Sequence, residues 1–177
     1  SAAPAETASP APSVEPTPDA SLVASPSDAV VPAAVSPAPA TDCTGTADNI
    51  DFFAGAAASL AWTVYCGVLP SGWAVQAGSY RLADGGNLKM AYVARSGARF
   101  ELREGAICLI DAACIPTGES RGQVAFADRV GRLVATDDGG WAAVVDEGNP
   151  IVWVAYGYAL DEAAFRALCA ALLPLAP

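Results

Sequence analysis

The chain has 177 residues, a net charge of −10 and no histidine. Lacking histidine, it has neither the commonest general base nor the Ser-His-Asp and Cys-His arrangements, and it lacks the usual zinc ligands. It shows no Lys/Arg run, so nucleic acid and anionic membranes lack the basic cluster that would draw them.

Residues 1–42 hold nine of the fourteen prolines, five acids, and neither a basic nor an aromatic residue. A segment without large side chains cannot bury enough surface to offset its ordering entropy. Residues 1–42 are therefore expected to be a disordered, semi-stiff Pro/Ala/Ser-rich tether, and 43–177 a single domain. The chain begins at Ser1 and contains a single methionine, Met90. This suggests a processed piece, with a signal peptide or membrane tether possible upstream of residue 1.

Residues 47–61, ADNIDFFAGAAASLA, read as a helix capped by Asp48, with Ile50, Phe53, Ala57 and Leu60 on one stripe. From Phe52 to Leu69 no charge occurs, which is nearly a bilayer span. Ala, Gly, Ser and Thr dilute it and Pro70 ends it, so a helix packed on a sheet is preferred. Trp62–Tyr65 and Trp73–Leu82 read as strands around a Leu69–Gly72 turn. Asp84-Gly85-Gly86-Asn87 signals a hairpin into Leu88–Ala94, with Leu88, Met90, Tyr92 and Ala94 on one face. After Ser96-Gly97, Phe100 and Leu102 alternate with Glu101 and Arg103.

Ala106–Ile110 reads as a short buried strand, and 111–121 as an excursion. Strands follow around Val124–Phe126, Val130–Val134, Trp141–Val145 and Ile151–Tyr158, separated by Asp128-Arg129, Asp137-Asp138-Gly139-Gly140 and Glu147-Gly148-Asn149-Pro150. A last helix begins near Asp161, carries Phe165, Leu168, Cys169 and Leu172 as its stripe, and stops at Pro174. The fold class is α+β: a curved antiparallel meander of about seven to nine strands with an N-terminal and a C-terminal helix.

Five cysteines beside a polar tail suggest an oxidising compartment. Cys108 and Cys114 are close enough to staple a small loop, and Cys43 and Cys66 could pair. Cys169 falls on the helix stripe as a small buried hydrophobe. The odd count leaves at least one thiol free or intermolecular. No C-x₂-C pair, calcium loop, P-loop, G-x-G-x-x-G or G-x-S-x-G occurs, so no metal ligand, cofactor site or catalytic residue is assigned. The scattered carboxylates single out no hydrolytic pair. Trp73, Tyr92, Trp141, Trp153 and Tyr156, with Tyr158, are candidate ligand-facing aromatics, though aromatics also dominate cores.

Val64-Tyr65, the turn Leu69-Pro70-Ser71-Gly72-Trp73, the hairpins through Tyr92, and Trp153 followed by Phe165-Arg166-Ala167-Leu168 resemble a bacterial domain family of unknown function. That family occupies the extracytoplasmic end of membrane-bound anti-sigma factors and related lipoproteins. The resemblance covers about residues 48–173, and the Cys108/Cys114 pair and the 111–121 excursion depart from it. It implies a sensory or binding module and carries over no catalytic residue. The expectation is thus a non-catalytic, extracytoplasmic (periplasmic or cell-surface), tethered interaction domain whose partner is an envelope protein, wall polymer or apolar ligand. A carrier for a lipid-like ligand is the alternative, and a carboxylate-based hydrolase is third.

Overall fold

Alternation along two neighbouring hairpin strands sets the sheet. In the computed structural model, which describes residues 42–175, Leu88, Met90 and Tyr92 turn to one face and lie beside Leu102 and Phe100. The elements run α1 (Ala47–Ser59), β1 (Val64–Gly67), β2 (Trp73–Arg81), β3 (Asn87–Ala94), β4 (Arg99–Gly105) and α2 (Ile107–Ile110). There follow β5 (Gly118–Phe126), β6 (Arg129–Thr136), β7 (Trp141–Val145), β8 (Val152–Tyr158), α3 (Glu162–Ala170) and β9 (Leu172–Leu175). This is an α+β fold. The expected tether at 1–42 lies outside the described residues except for Asp42.

Seven strands form one antiparallel sheet in the order β2-β3-β4-β8-β7-β6-β5. Two meanders, β2-β3-β4 and β5-β6-β7-β8, meet where β4 pairs with β8. The chain must therefore travel from the sheet's middle at β4 to its far edge at β5. Residues 106–117 make that crossing over one face, here called outer. Ile107 and Cys114 bury against Val134, Ala142, Val144, Val152, Val154 and Tyr156 there.

The other, inner face carries the main core. Phe53 of α1, Tyr65 of β1, and Phe165, Leu168 and Cys169 of α3 pack on Tyr92, Phe100, Leu102, Phe126, Leu133 and Trp153. Burial of each such side chain contributes roughly 1.5–3 kcal/mol. Both disulfides are formed: Cys43–Cys66 ties the entry of α1 to β1, and Cys108–Cys114 staples the outer crossover. Cys169 is a buried free thiol, and burial raises its pKa far above the ordinary value.

Both edges of the large sheet are interrupted. β2 bulges between Val75 and Ala77, and β5 between Ser120 and Gln123. Arg166 of α3 also donates to the edge carbonyls of Gln123 and Arg121. Bulges and covered carbonyls discourage pairing with another chain.

Three local expectations are corrected. Thr46, not Asp48, caps α1, and Asn49 Oδ1 accepts the Thr46 N–H at 2.9 Å. Ala106–Ile110 is not a buried strand. It holds the single-turn α2, which leaves Leu109 and Ile110 exposed because the chain has already left the sheet. The helix ends at Ala170, and Pro174 lies within β9, which pairs with β1. Pro174 stands opposite Tyr65, whose N–H points away from β9, so the missing donor removes no ladder bond.

Candidate functional site

Each candidate aromatic was placed by its parity on a strand. On the inner face, three side chains of the large sheet satisfy one edge of β1. Trp153 Nε1 donates to the Thr63 carbonyl at 3.0 Å. The Glu104 carboxylate accepts the Tyr65 N–H at 3.0 Å, and the Tyr92 hydroxyl accepts the Gly67 N–H at 2.9 Å. Residues 63, 65 and 67 share one strand edge, and the opposite edge of β1 pairs with β9. β1 is therefore held by backbone on one side and by side chains on the other. Tyr92 and Trp153 are 0% and 4% exposed, and both serve as buried supports of β1.

Glu104 is fully buried with no cation against it. Loss of hydration raises its pKa well above the ordinary range, while the Tyr65 N–H opposes that shift. Gly105, at φ +104°, lets Trp62 lie across the strand end, where an added Cβ would come 2.5 Å from Trp62 Cζ2. The Tyr65 hydroxyl donates to Asp128 at 2.8 Å and accepts from Arg129 Nε at 2.9 Å. Its pKa is pushed up to about 12, first by burial and then by the Asp128 hydrogen bond. Arg129 also ion-pairs with Asp146 and lies 4.2 Å above the Trp153 ring. Trp141 is half-buried on the same face and donates to the Leu160 carbonyl at 3.1 Å. Trp73 is half-buried at the start of β2 and packs against the same core.

The outer face differs. Across β2, β3, β4 and β8, pairing aligns four rows: Arg81, Asn87, Gly105 and Val152; Ser79, Lys89, Arg103 and Val154; Ala77, Ala91, Glu101 and Tyr156; Ala74, Val93, Arg99 and Tyr158. Tyr156 and Tyr158 have nearly parallel rings, 7° apart with centroids at 6.4 Å. Arg103 sits 4.9 Å from the Tyr156 centroid and Arg99 5.0 Å from that of Tyr158. Glu101 pairs with both Arg103, at 2.6 Å, and Lys89, at 3.2 Å. Burial raises the pKa of both phenols. Ala74, Ala77 and Ser79 are exposed, so β2 and β3 present a shallow floor of small side chains beside the cations.

Two clefts frame the molecule. One of about 200 Å³ lies between α2 and the outer face of β3 and β4, lined by Leu88, Lys89, Arg103, Ile107, Ile110 and Asp111, with Asn87 and Cys114. The other, of about 410 Å³, is apolar and runs between α1 and β9, beside Ile50, Phe53, Ala57 and Leu175. The acidic turns Asp84–Asn87 and Asp137–Gly140 are hairpin connections, the second closed by the Thr136 hydroxyl and Asp138. Among the described residues no cluster of His, Cys, Asp or Glu is arranged to hold a metal ion, and no helix is long and apolar enough to cross a membrane.

Of the six candidate aromatics, Tyr156 and Tyr158 stand on the outer face. The cations Arg81, Lys89, Arg99 and Arg103 went unnamed as a group because no two adjoin in sequence. The usable signal was parity: Phe100 and Leu102 inward put 99, 101 and 103 outward together. No family model, curated protein or solved structure matches this chain.

Proposed function

We propose that residues 43–177 form a non-catalytic, extracytoplasmic interaction module of a cell-envelope protein, in the manner of a sensory domain on a tether. The observation that carries this reading is the division of labour between the faces. The inner face is filled by α1, α3 and the β1–β9 ribbon, and its polar tips are committed to the β1 backbone. A lipid carrier needs that space open, as in ligand cavities of several hundred Å³. The outer face of β2–β4 instead offers ordered polar and aromatic groups to solvent. Two formed disulfides favour an oxidising compartment such as the periplasm or cell surface.

Sedimentation of the oxidised full chain with isolated bacterial envelopes, followed by lipid extraction of the purified protein, tests this. Retention on envelopes without stoichiometric lipid is expected. One lipid per chain would establish the carrier, with the α1–β9 cleft as its seat. Five free thiols in protein from its native source would overturn the compartment.

A further inference from the structure

We infer that the outer face of β2, β3 and β4 is the seat of a linear anionic wall polymer, a polyol-phosphate or acidic glycan with one charge per repeat. The inference rests on the interaction-module reading and names its ligand.

Charge distribution is the first support. Nine basic residues serve the whole chain, and four of them, Arg81, Lys89, Arg99 and Arg103, fall on this one face. Of the fifteen acids at 42–175, Glu101 stands among them, with Asp111 at the rim of the adjoining cleft and Asp138 near Tyr158 at the other end. Elsewhere the cations Arg121, Arg129, Arg132 and Arg166 each have a carboxylate partner of their own. Here Lys89 and Arg103 share one. A chain of net charge −10 thus concentrates unbalanced positive charge on one sheet surface.

Shape is the second. Arg99, Arg103 and Arg81 stand at three of the four levels along the strands, with Glu101 at the level between Arg99 and Arg103, and span roughly 20 Å at the strand rise. Small residues beside them, Ala74, Ala77, Ser79 and Ala91, leave a shallow floor along the strand direction. A protein partner would want a protruding aromatic or aliphatic anchor at the centre of the patch. None stands there, since Arg103 and Arg99 lie over the Tyr156 and Tyr158 rings. Those ring faces are likewise closed to nucleobase stacking, which single-stranded nucleic acid needs. A bilayer would want apolar side chains projecting from among the cations, and the strands there project alanine, serine and a half-buried Val93, with exposed Ile110 of α2 standing only at the rim of the adjoining cleft. An extended polymer with a charge on every repeat needs only the cations and the clear floor.

The test uses the full chain and a synthetic polyglycerol-phosphate oligomer. With four contacts, affinity should fall roughly fiftyfold between about 50 and 200 mM salt on the scale of single-stranded polyelectrolytes. The Arg81→Gln, Lys89→Gln, Arg99→Gln triple variant should reduce that salt dependence to roughly threefold and weaken binding at every salt. Ala77→Glu, which adds an acid to the floor, should weaken binding too, whereas Ala163→Glu on exposed α3 should not. Thermal melts confirm that the variants fold. Equal competition by monomeric glycerol phosphate overturns the inference. So does preferential binding of polyglutamate, of a single-stranded oligonucleotide or of phosphatidylglycerol vesicles, and so does no binding. If the triple variant still sediments with envelopes as the unaltered chain does, the interaction module stands and this ligand falls.

Discussion

The two faces of one seven-stranded sheet use the same residue types for opposite ends. Trp153 and Tyr156 are three residues apart on β8 and so point to opposite faces. Trp153 reaches into the core to hold Thr63, while Tyr156 stacks with Tyr158 under two arginines. Acids divide in the same way. Glu104 is buried and bonded to a backbone amide, whereas Glu101, three residues earlier, pairs with Lys89 and Arg103. Strand parity, more than residue type, decides whether an aromatic or an acid is architecture or surface.

The largest expected effect lies on the inner face. Glu104→Ala leaves the Tyr65 N–H unpaired in the core and opens a void, at a cost of about 3–5 kcal/mol in chemical unfolding. Glu104→Gln keeps an acceptor and should be far milder at neutral pH. The pair also yields a pH test. The folded acid has a raised pKa, so the native state retains a proton that the unfolded chain releases. Its stabilisation is complete below the unfolded pKa near 4.5 and is lost as pH rises toward the folded value. Over that window the stability of the unaltered chain relative to Glu104→Gln should fall by up to about 1.4 kcal/mol per pH unit. A flat difference would show Glu104 to be ionised in the fold.

Next come the staples. Replacing Cys43 and Cys66 by serine should cost about 3.4 kcal/mol by loop-closure entropy, and replacing Cys108 and Cys114 about 2.4 kcal/mol. The first should loosen β1 and the second only the outer crossover, which amide exchange can separate. Tyr92→Phe removes the acceptor of the Gly67 N–H and should cost about 1–3 kcal/mol. Smallest is Arg99→Gln, which loses one exposed cation–π contact, about 0.5–1 kcal/mol. A larger loss there than at Tyr92 would erase the distinction between the faces.

Much of the sheet was legible because turn formers and period-two alternation coincide. Asp84–Asn87, Ser96-Gly97, Asp137–Gly140 and Glu147–Pro150 all lie between paired strands. Phe165, Leu168 and Cys169 are buried as their helical spacing requires, whereas Leu172 is buried as the first residue of β9. The strand β9 was hidden because Pro174 argues for a helix stop, and only the partner strand shows that its missing N–H is harmless. α2 was hidden because Ala106–Ile110 is apolar enough for a buried strand, while its exposure depends on a crossover no local pattern encodes. The site was least visible. Parity groups Arg99 with Arg103, but Lys89 and Arg81 join them only through the registers of two hairpins.

Hydroxyl-radical footprinting of the full chain, with and without isolated envelopes, tests most directly which face meets the partner. The account predicts protection at Tyr158, Lys89, Arg99 and Arg81, with Ile50, Leu175 and the exposed residues of α3 unchanged. Protection confined to Ile50 and Leu175 beside the α1–β9 cleft, with the outer face still reactive, would contradict it.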